Sequence, residues 1–204
     1  KKYNNKNRFK YSVTLLVLTE NRMMKWLYNP IFPDMSYDYF ERERVLFTFF
    51  NSVNNSVVKC YKIDDGWGQK DWIEEKFPNM LCTCDGVFKD YALQSELTIV
   101  DYNSTGFAEL LVMKIPFMAT WSRRWFKGNP LFEECIDVLK NVGIFFEDPN
   151  ELTHNYNEIK YDMKFWWNDE KQSVVDNVAK KLALTSPTQK QCIDVWNNEF
   201  ENVM

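Results

Sequence analysis

The sequence predicts an α/β fold, a Rossmann-like three-layer domain with a mostly parallel sheet and a helical C-terminal tail. Short β-branched and aliphatic runs alternate with stretches of helical periodicity through most of the 204 residues, which is typical of βαβ units. From Pro149 onward the pattern is helical to the end, with a break at Ser186 and Pro187. No internal repeat or linker interrupts the chain, so we expect residues 1–204 to form one domain, with residues 150–204 packed on it as the tail.

Residues 11–113 supply three predicted strands and four predicted helices. The strands are rich in β-branched and aliphatic residues, as expected for strands buried in a parallel sheet. They are predicted at residues 11–18, 57–63 and 97–101. The helices are predicted from apolar spacing near 3.6 residues and from capping residues, at residues 37–50 (with Ser36 as the N-cap), 71–76, 87–94 and 105–113.

The second half of the chain is predicted to add two strands before the helical tail. They lie at residues 115–121 and 144–146, and a helix over residues 132–142 joins them. Gly143 follows that helix at the position where a glycine commonly ends one. Within the tail, Phe165, Trp166 and Trp167 are predicted to pack it onto the sheet, and stacking on a sugar or a base is the alternative.

Composition excludes several classes of protein. The chain is 45% hydrophobic and 17% aromatic, which excludes a disordered chain, and its net charge of −4 excludes a nucleic-acid partner. No apolar run approaches the ~20 residues of a membrane-spanning helix. One histidine and five cysteines, with Cys82 and Cys84 only one residue apart, do not form a zinc motif. We therefore expect no metal and interpret the cysteines as reduced core thiols.

Glycine-rich phosphate loops are missing from the sequence. It contains neither GxGxxG nor GxxxxGK[ST], and it has only six glycines in total. A standard dinucleotide-binding or P-loop site is therefore excluded.

A polar turn between a strand and a helix is the most informative segment. The predicted strand ends at Asp101, and a helix begins near Thr105 and Gly106. Ligands of open parallel sheets bind beyond the carboxyl ends of the strands, and a helix N-terminus offers free N–H groups and a positive dipole end. We therefore expect an anion site here, with Glu109 one turn further on to bind hydroxyls. Its residues are Tyr102, Asn103, Ser104, Thr105, Gly106 and Glu109.

The same residues allow a simpler interpretation, in which Ser104 and Thr105 only cap the helix and Glu109 is solvated. Two arginines, Arg123 and Arg124, follow the next predicted strand and could reach a diphosphate at the same edge, or lie solvated on a loop. His154 is the single histidine and has no nucleophile motif near it, so it is interpreted as a surface or capping residue.

Residues 101–109, read as D-Y-N-S-T-G-F-A-E and followed by a Lys-Ile-Pro strand start, resemble the donor-site segment of GT-B glycosyltransferases. The flanking segments resemble a sparsely characterised family of bacterial transferases linked to surface carbohydrate synthesis. Those segments are the D-G-W-G-Q run of residues 65–69, residues 142–149, the N-x-I…W-W…T-S-P pattern within residues 157–187, and residues 26–41. The resemblance thus extends over nearly the whole chain in order.

This resemblance implies a nucleotide-sugar-binding, C-terminal half of a two-domain enzyme that transfers a sugar, or a related activated unit, to a cell-surface glycan. Donor phosphates would be held by Ser104 and Thr105, and the ribose or sugar hydroxyls by Glu109. The loop of Asp65, Gly66 and Trp67 would approach the donor. The other half, which binds the glycan acceptor, would precede Lys1, so residues 1–204 alone would be inactive.

The resemblance further implies an enzyme without a metal cofactor or a transmembrane segment. It would be cytoplasmic and, at full length, peripherally associated with the inner face of the membrane. A non-catalytic Rossmann-like module that binds a nucleotide or a partner is the alternative.

Overall fold

A parallel sheet of six strands organises the chain. The computed structural model describes residues 9–17, 33–62 and 68–182. The strands lie in the order β3-β2-β1-β4-β5-β6, and all neighbours are parallel. They are β1 (Tyr11–Leu16), β2 (Ser56–Lys59), β3 (Leu81–Thr83), β4 (Ser95–Val100), β5 (Phe117–Thr120) and β6 (Phe145–Phe146). This order is that of a doubly wound sheet and confirms the Rossmann-like prediction.

Helices connect the strands and cover both faces of the sheet. Helix α1 packs against α6, and α8 packs against α4 and α5. The helices are α1 (Pro33–Phe50), α2 (Gln69–Lys76), α3 (Phe88–Leu93), α4 (Thr105–Met113), α5 (Pro130–Asn141), α6 (Pro149–Ile159), α7 (Met163–Trp166) and α8 (Asp169–Lys181). The helical pattern predicted after Pro149 is thus confirmed as three helices that end at Lys181, with short connections between them, and the predicted break at Ser186 and Pro187 lies outside the described residues.

The order in which the chain adds strands reverses between β1 and β4. From β1 the chain adds β2 and β3 on one side, and it then returns to add β4, β5 and β6 on the other side of β1. Strand β1 pairs with β2 on one side and with β4 on the other, so that Val13 faces both Ser56 and Leu97. The Thr14 and Ser95 hydroxyl oxygens lie 2.6 Å apart in a buried hydrogen bond between these strands. In doubly wound sheets, the connections that follow the two strands at this reversal leave toward opposite sides, and a crevice opens between them. In this sheet the crevice lies at the carboxyl ends of β1 and β4.

Strand β3 and helix α1 differ from the sequence-based predictions, and β2 ends at Lys59 rather than at residue 63. Strand β3 was not predicted, because it has only three residues, pairs on one side only, and leaves Leu81 half exposed. Helix α1 begins at Pro33 rather than near Tyr37, with Asp34 in its first turn. Proline and an acidic residue are both favoured at a helix start, so Ser36 lies inside the helix and the predicted N-cap is wrong.

The C-terminal helices are packed on the sheet by two of the three predicted aromatic residues. Trp166 and Trp167 are buried, and the Trp167 ring lies 5.8 Å from that of Phe117 on β5. The Trp167 indole N–H donates to the Lys114 carbonyl oxygen at 3.2 Å. Phe165 instead is 77% exposed, so the prediction is confirmed for the tryptophans only.

Tyr156 on α6 provides a test of packing between helices. Its ring lies 5.1 Å from that of Phe50 on α1, and burial raises the pKa of its hydroxyl to about 12. Because this pKa is higher in the folded than in the unfolded chain, the free energy of unfolding is unaffected by the shift below pH ~10 and falls as the pH rises toward about 12, by roughly 2–3 kcal/mol in total. We therefore expect the free energy of unfolding of the wild type, relative to Tyr156→Phe, to fall by this amount over that interval.

Urea unfolding at a series of pH values measures this difference. Tyr37→Phe is the control, because that tyrosine is 71% exposed and is not among the groups that raise the pKa of Tyr156, so its replacement should leave the pH profile unchanged. Parallel profiles for the wild type and Tyr156→Phe above pH 10 would contradict the packing of this ring.

Candidate functional site

A cleft of about 450 Å³ lies at the carboxyl edge of the sheet. It is bordered by the ends of β1 and β2 and by the connections that follow β2, β3 and β4. Its position at the reversal of strand order is where ligands of doubly wound folds bind. The lining residues are Leu16, Val17, Lys59, Cys60, Tyr61, Lys62, Cys84, Asp85, Gly86, Val87, Phe88, Tyr102, Thr105, Gly106 and Glu109.

The start of helix α4 forms one wall of this cleft. Ser104 is the N-cap, and its hydroxyl oxygen accepts a hydrogen bond from the Phe107 N–H at 3.3 Å. The Thr105 and Gly106 N–H groups have no acceptor within the described residues, and both residues line the cleft. The first turn of α4 therefore offers two backbone donors and the Thr105 hydroxyl to an anion, while the Ser104 hydroxyl is engaged in capping.

Gly106 allows α4 to approach β1 closely. A Cβ atom at this position would clash with the Cδ2 atom of Leu16, the last residue of β1. The glycine therefore lets the helix start lie against the strand, and it brings the α4 N-terminus to the strand ends. We infer that its first role is this close approach of helix and strand, in addition to lining the cleft.

The other residues predicted around this turn are distributed unevenly. Tyr102 and Glu109 line the cleft, and the Glu109 side chain is exposed at its rim. Asn103 is exposed and does not contribute to the lining. Asp65, Gly66 and Trp67 lie outside the described residues.

The two predicted arginines make other contacts. The Arg123 guanidinium donates to Glu133 Oε2 at 2.8 Å and to Asp137 Oδ1 at 2.6 Å, and both acceptors are on α5. Arg124 lies over the ring of Trp125 at 4.3 Å. Neither arginine lines the cleft, and to reach an anion there Arg123 would have to leave both of its carboxylate partners.

A buried polar network behind the cleft was not predicted from the sequence. The Tyr39 hydroxyl on α1 lies 2.7 Å from Asp101 Oδ2 and 2.9 Å from Glu43 Oε1. Gln69 Nε2 on α2 donates to the same Glu43 oxygen at 2.8 Å. Burial, together with the charges of Asp101 and Glu43, raises the pKa of Tyr39 well above its usual value. The network connects α1 to the end of β4 and to the start of α2.

Arg42, on the same helix, connects α1 to the next two strands. Its guanidinium donates to the Thr120 hydroxyl at 2.9 Å and to the Glu147 carbonyl oxygen at 2.6 Å. Burial lowers the pKa of Arg42, and the nearby charges of Asp38 and Asp101 oppose that shift. Helix α1 thus fixes the carboxyl ends of β4, β5 and β6 relative to one another.

The cysteines are free thiols in the part of the chain that the structure describes, as predicted. Cys60 and Cys82 are buried, with sulfur atoms 3.4 Å apart, Cys135 is buried on α5, and Cys84 is only partly buried. A hydrogen bond between the two sulfurs and burial raise the pKa of Cys60. Cys192 lies outside the described residues.

Comparison with known proteins gives the family. A family model described as "LIC12162 family transferase" matches residues 1–200. The chain belongs to this family. No curated protein matches it significantly. The family description supports a general transferase role for the chain.

Three further observations concern the described part of this LIC12162 family transferase. No group of three or more His, Cys, Asp or Glu side chains there is arranged to hold a metal ion. None of its described helices is both long and apolar enough to cross a membrane. His154 is exposed and lies 3.4 Å from Glu158 one turn later on α6, in agreement with its interpretation as a surface residue.

A second depression of the LIC12162 family transferase, of about 640 Å³, lies at the opposite edge of the sheet. It lies between the end of α1 and the start of β2, and asparagines dominate its lining. Amino-terminal edges of parallel sheets are not the usual ligand sites, so the carboxyl-edge cleft remains the candidate. The residues of the second depression are Asn51, Ser52, Val53, Asn54, Asn55 and Asn79.

Proposed function

We propose that this transferase is the donor-binding half of a GT-B glycosyltransferase, which moves a sugar or a related activated unit from a nucleotide carrier to a cell-surface glycan. The observation that carries the proposal is the position of the α4 N-terminus, which forms a wall of the cleft at the reversal of strand order. A transferase of activated sugars needs a phosphate site of this kind, because negative charge develops on the leaving phosphate.

The donor phosphate would lie at the first turn of α4. The Thr105 and Gly106 N–H groups and the Thr105 hydroxyl would donate to its oxygens, and the helix dipole would stabilise its charge. Glu109 lies one turn further along the same wall, where its carboxylate could accept hydrogen bonds from ribose or sugar hydroxyls. Tyr102, at the start of the turn, offers a ring and a hydroxyl to the same ligand.

The remaining predicted residues stay proposals at the same edge. Asp65, Gly66 and Trp67 follow β2 in sequence, so they would approach the donor from the strand next to β1. Arg123 and Arg124 follow β5 and would contribute only if the ligand draws them from their present partners. The glycan acceptor would be bound by a second domain of the full enzyme.

Single replacements at the α4 turn separate binding from capping. Thr105→Ala removes a hydroxyl donor to the phosphate, so we expect nucleotide affinity to fall about tenfold with little change in stability. Ser104→Ala removes the cap that accepts from the Phe107 N–H, so we expect a loss of about 1 kcal/mol in the free energy of unfolding. Calorimetric binding of a nucleotide chosen from a CMP, CDP, UDP and GDP panel, together with urea unfolding, measures both effects.

Glu109→Gln is the matched variant for the hydroxyl contacts. It preserves the shape of the side chain and should weaken binding of ribonucleotides more than binding of their 2′,3′-dideoxy analogues. If Thr105→Ala binds the selected nucleotide as tightly as the wild type does, the α4 turn is not the phosphate site. Glycosyl transfer is tested separately, by following transfer of a labelled sugar by the full enzyme.

A further inference from the structure

Lys59, the last residue of β2, holds a buried ammonium group at the cleft. The residue is only 5% exposed, and its Nζ donates to the Cys60 carbonyl oxygen at 2.6 Å and to the Cys84 carbonyl oxygen at 3.2 Å. Lys59, Cys60 and Cys84 all line the cleft. The ammonium therefore lies between the ends of β2 and β3, at the border of the empty space.

The hydrogen-bonding capacity and the charge of this group are only partly used. An ammonium has three N–H donors, and the two carbonyls take two of them. Within the described residues, no carboxylate lies within 4.0 Å of Nζ, and the charge of Asp85 acts on it from further away. Burial accordingly lowers the pKa of Lys59. Because a buried charge without a counter-ion is costly, the cleft favours a ligand that supplies an anion here.

This position is separate from the start of α4. Strand β1 lies between β2 and β4, and the start of α4 packs on the end of β1 at Leu16, so at least one strand spacing, about 5 Å, separates the two positions. The Lys59 ammonium also bonds toward β3, the side away from β4. One small anion therefore does not fill both positions, whereas two linked anionic groups of one ligand can.

We propose that Lys59 forms a second anion subsite, so that the ligand carries an acid group, a carboxylate or a phosphate, in addition to the phosphate bound at α4. The inference rests on the proposed function, in that it takes the cleft to be the donor site. The acid group would be the second phosphate of a nucleoside diphosphate carrier or a carboxylate of the transferred unit, and the phosphate and malonate titrations distinguish the two.

Amide resonances resolve the two positions in one titration. Inorganic phosphate and, in a separate series, malonate are added to the ¹⁵N-labelled chain in a buffer of low ionic strength. We expect the Cys60 and Gly86 amides to respond to Lys59 occupancy and the Thr105 and Gly106 amides to respond to α4 occupancy. The anion that acts on Cys60 and Gly86 at the lower concentration identifies the acid group as phosphate or carboxylate.

Two variants at this position separate charge from hydrogen bonding. Lys59→Met removes both, and Lys59→Gln keeps an N–H donor for the carbonyls without the charge. In both variants, we expect the affinity for the added anion, as reported by the Cys60 and Gly86 amides, to fall at least about tenfold. The response of the Thr105 and Gly106 amides should be unchanged. Lys89→Met, which changes an exposed lysine outside the cleft, should leave both responses intact.

Stability supplies a second readout. If only a bound anion balances the charge of the Lys59 ammonium, that charge is costly when no ligand is bound. Lys59→Met should then be at least as stable as the wild type in the anion-poor buffer. A loss of stability that Lys59→Gln restores, with unchanged anion responses, would overturn the subsite and leave Lys59 as a link between two carbonyls. If only the Thr105 and Gly106 amides respond in the wild type, the second subsite is wrong and the donor site stands. If no amide of either set responds, both proposals are wrong.

Discussion

Replacing Trp121 by alanine is expected to lower the free energy of unfolding by about 3–5 kcal/mol, the usual cost of deleting a fully buried aromatic side chain. The residue follows β5 and is 1% exposed. Its ring lies 4.8 Å from that of Phe145 on β6, 5.1 Å from that of Phe107 on α4, and 6.4 Å from that of Phe132 on α5. The indole thus joins the sheet to the helix whose first turn borders the cleft.

Urea unfolding at neutral pH measures this loss. Trp125→Ala is the matched control, because that tryptophan is only partly buried, lies on the loop after β5, and has Arg124 over its ring. We expect it to cost less than about 1 kcal/mol. Equal losses in the two variants would contradict the packing of Trp121 between the sheet and α4.

Tyr39→Phe is expected to lower the free energy of unfolding by about 2–3 kcal/mol. The hydroxyl is buried and lies within hydrogen-bond distance of Asp101 and Glu43, and hydrogen bonds to charged groups contribute about 1.5–3 kcal/mol each. Phenylalanine fills the same volume and removes only this oxygen. The end of β4 would also lose one of its connections to α1, so nucleotide affinity should fall as well.

Tyr37→Phe, two residues earlier on α1, is the control for this replacement. Its ring is 71% exposed, and loss of its hydroxyl should change stability by less than about 0.5 kcal/mol. Thermal and urea unfolding of the two variants can be compared directly. A Tyr39→Phe protein as stable as Tyr37→Phe would mean that the contacts to Asp101 and Glu43 contribute nothing to the fold.

Local sequence signals were sufficient for most of the fold. The bounds predicted for α4 are those observed, because a polar turn with a capping serine precedes a mostly apolar helix. The C′ position of Gly143 is also confirmed by its positive φ of 70°. Strand β3 gave no such signal, because a three-residue edge strand has no apolar run. The strand predicted at residues 57–63 ends at Lys59, because residues 60–62 leave the sheet and line the cleft.

The candidate site was predictable only where it is contiguous in sequence. Residues 101–109 combine a strand end with a helix start, and that juxtaposition places Thr105 and Glu109 at the cleft. Lys59 was not singled out, because one lysine at a strand end gives no sign that it will be buried. The contact of Tyr39 with Asp101 joins residues 62 positions apart, and only the assembled sheet brings them together.

The most direct test of the donor-site assignment is the location of a bound nucleotide. A crystal structure with the nucleoside diphosphate that stabilises the chain most is expected to show phosphate oxygens within hydrogen-bond distance of the Thr105 and Gly106 N–H groups. The ribose should then lie toward Glu109. A diphosphate bound only elsewhere, for example in the asparagine-lined depression of residues 51–55, would contradict the assignment of the carboxyl-edge cleft as the donor site.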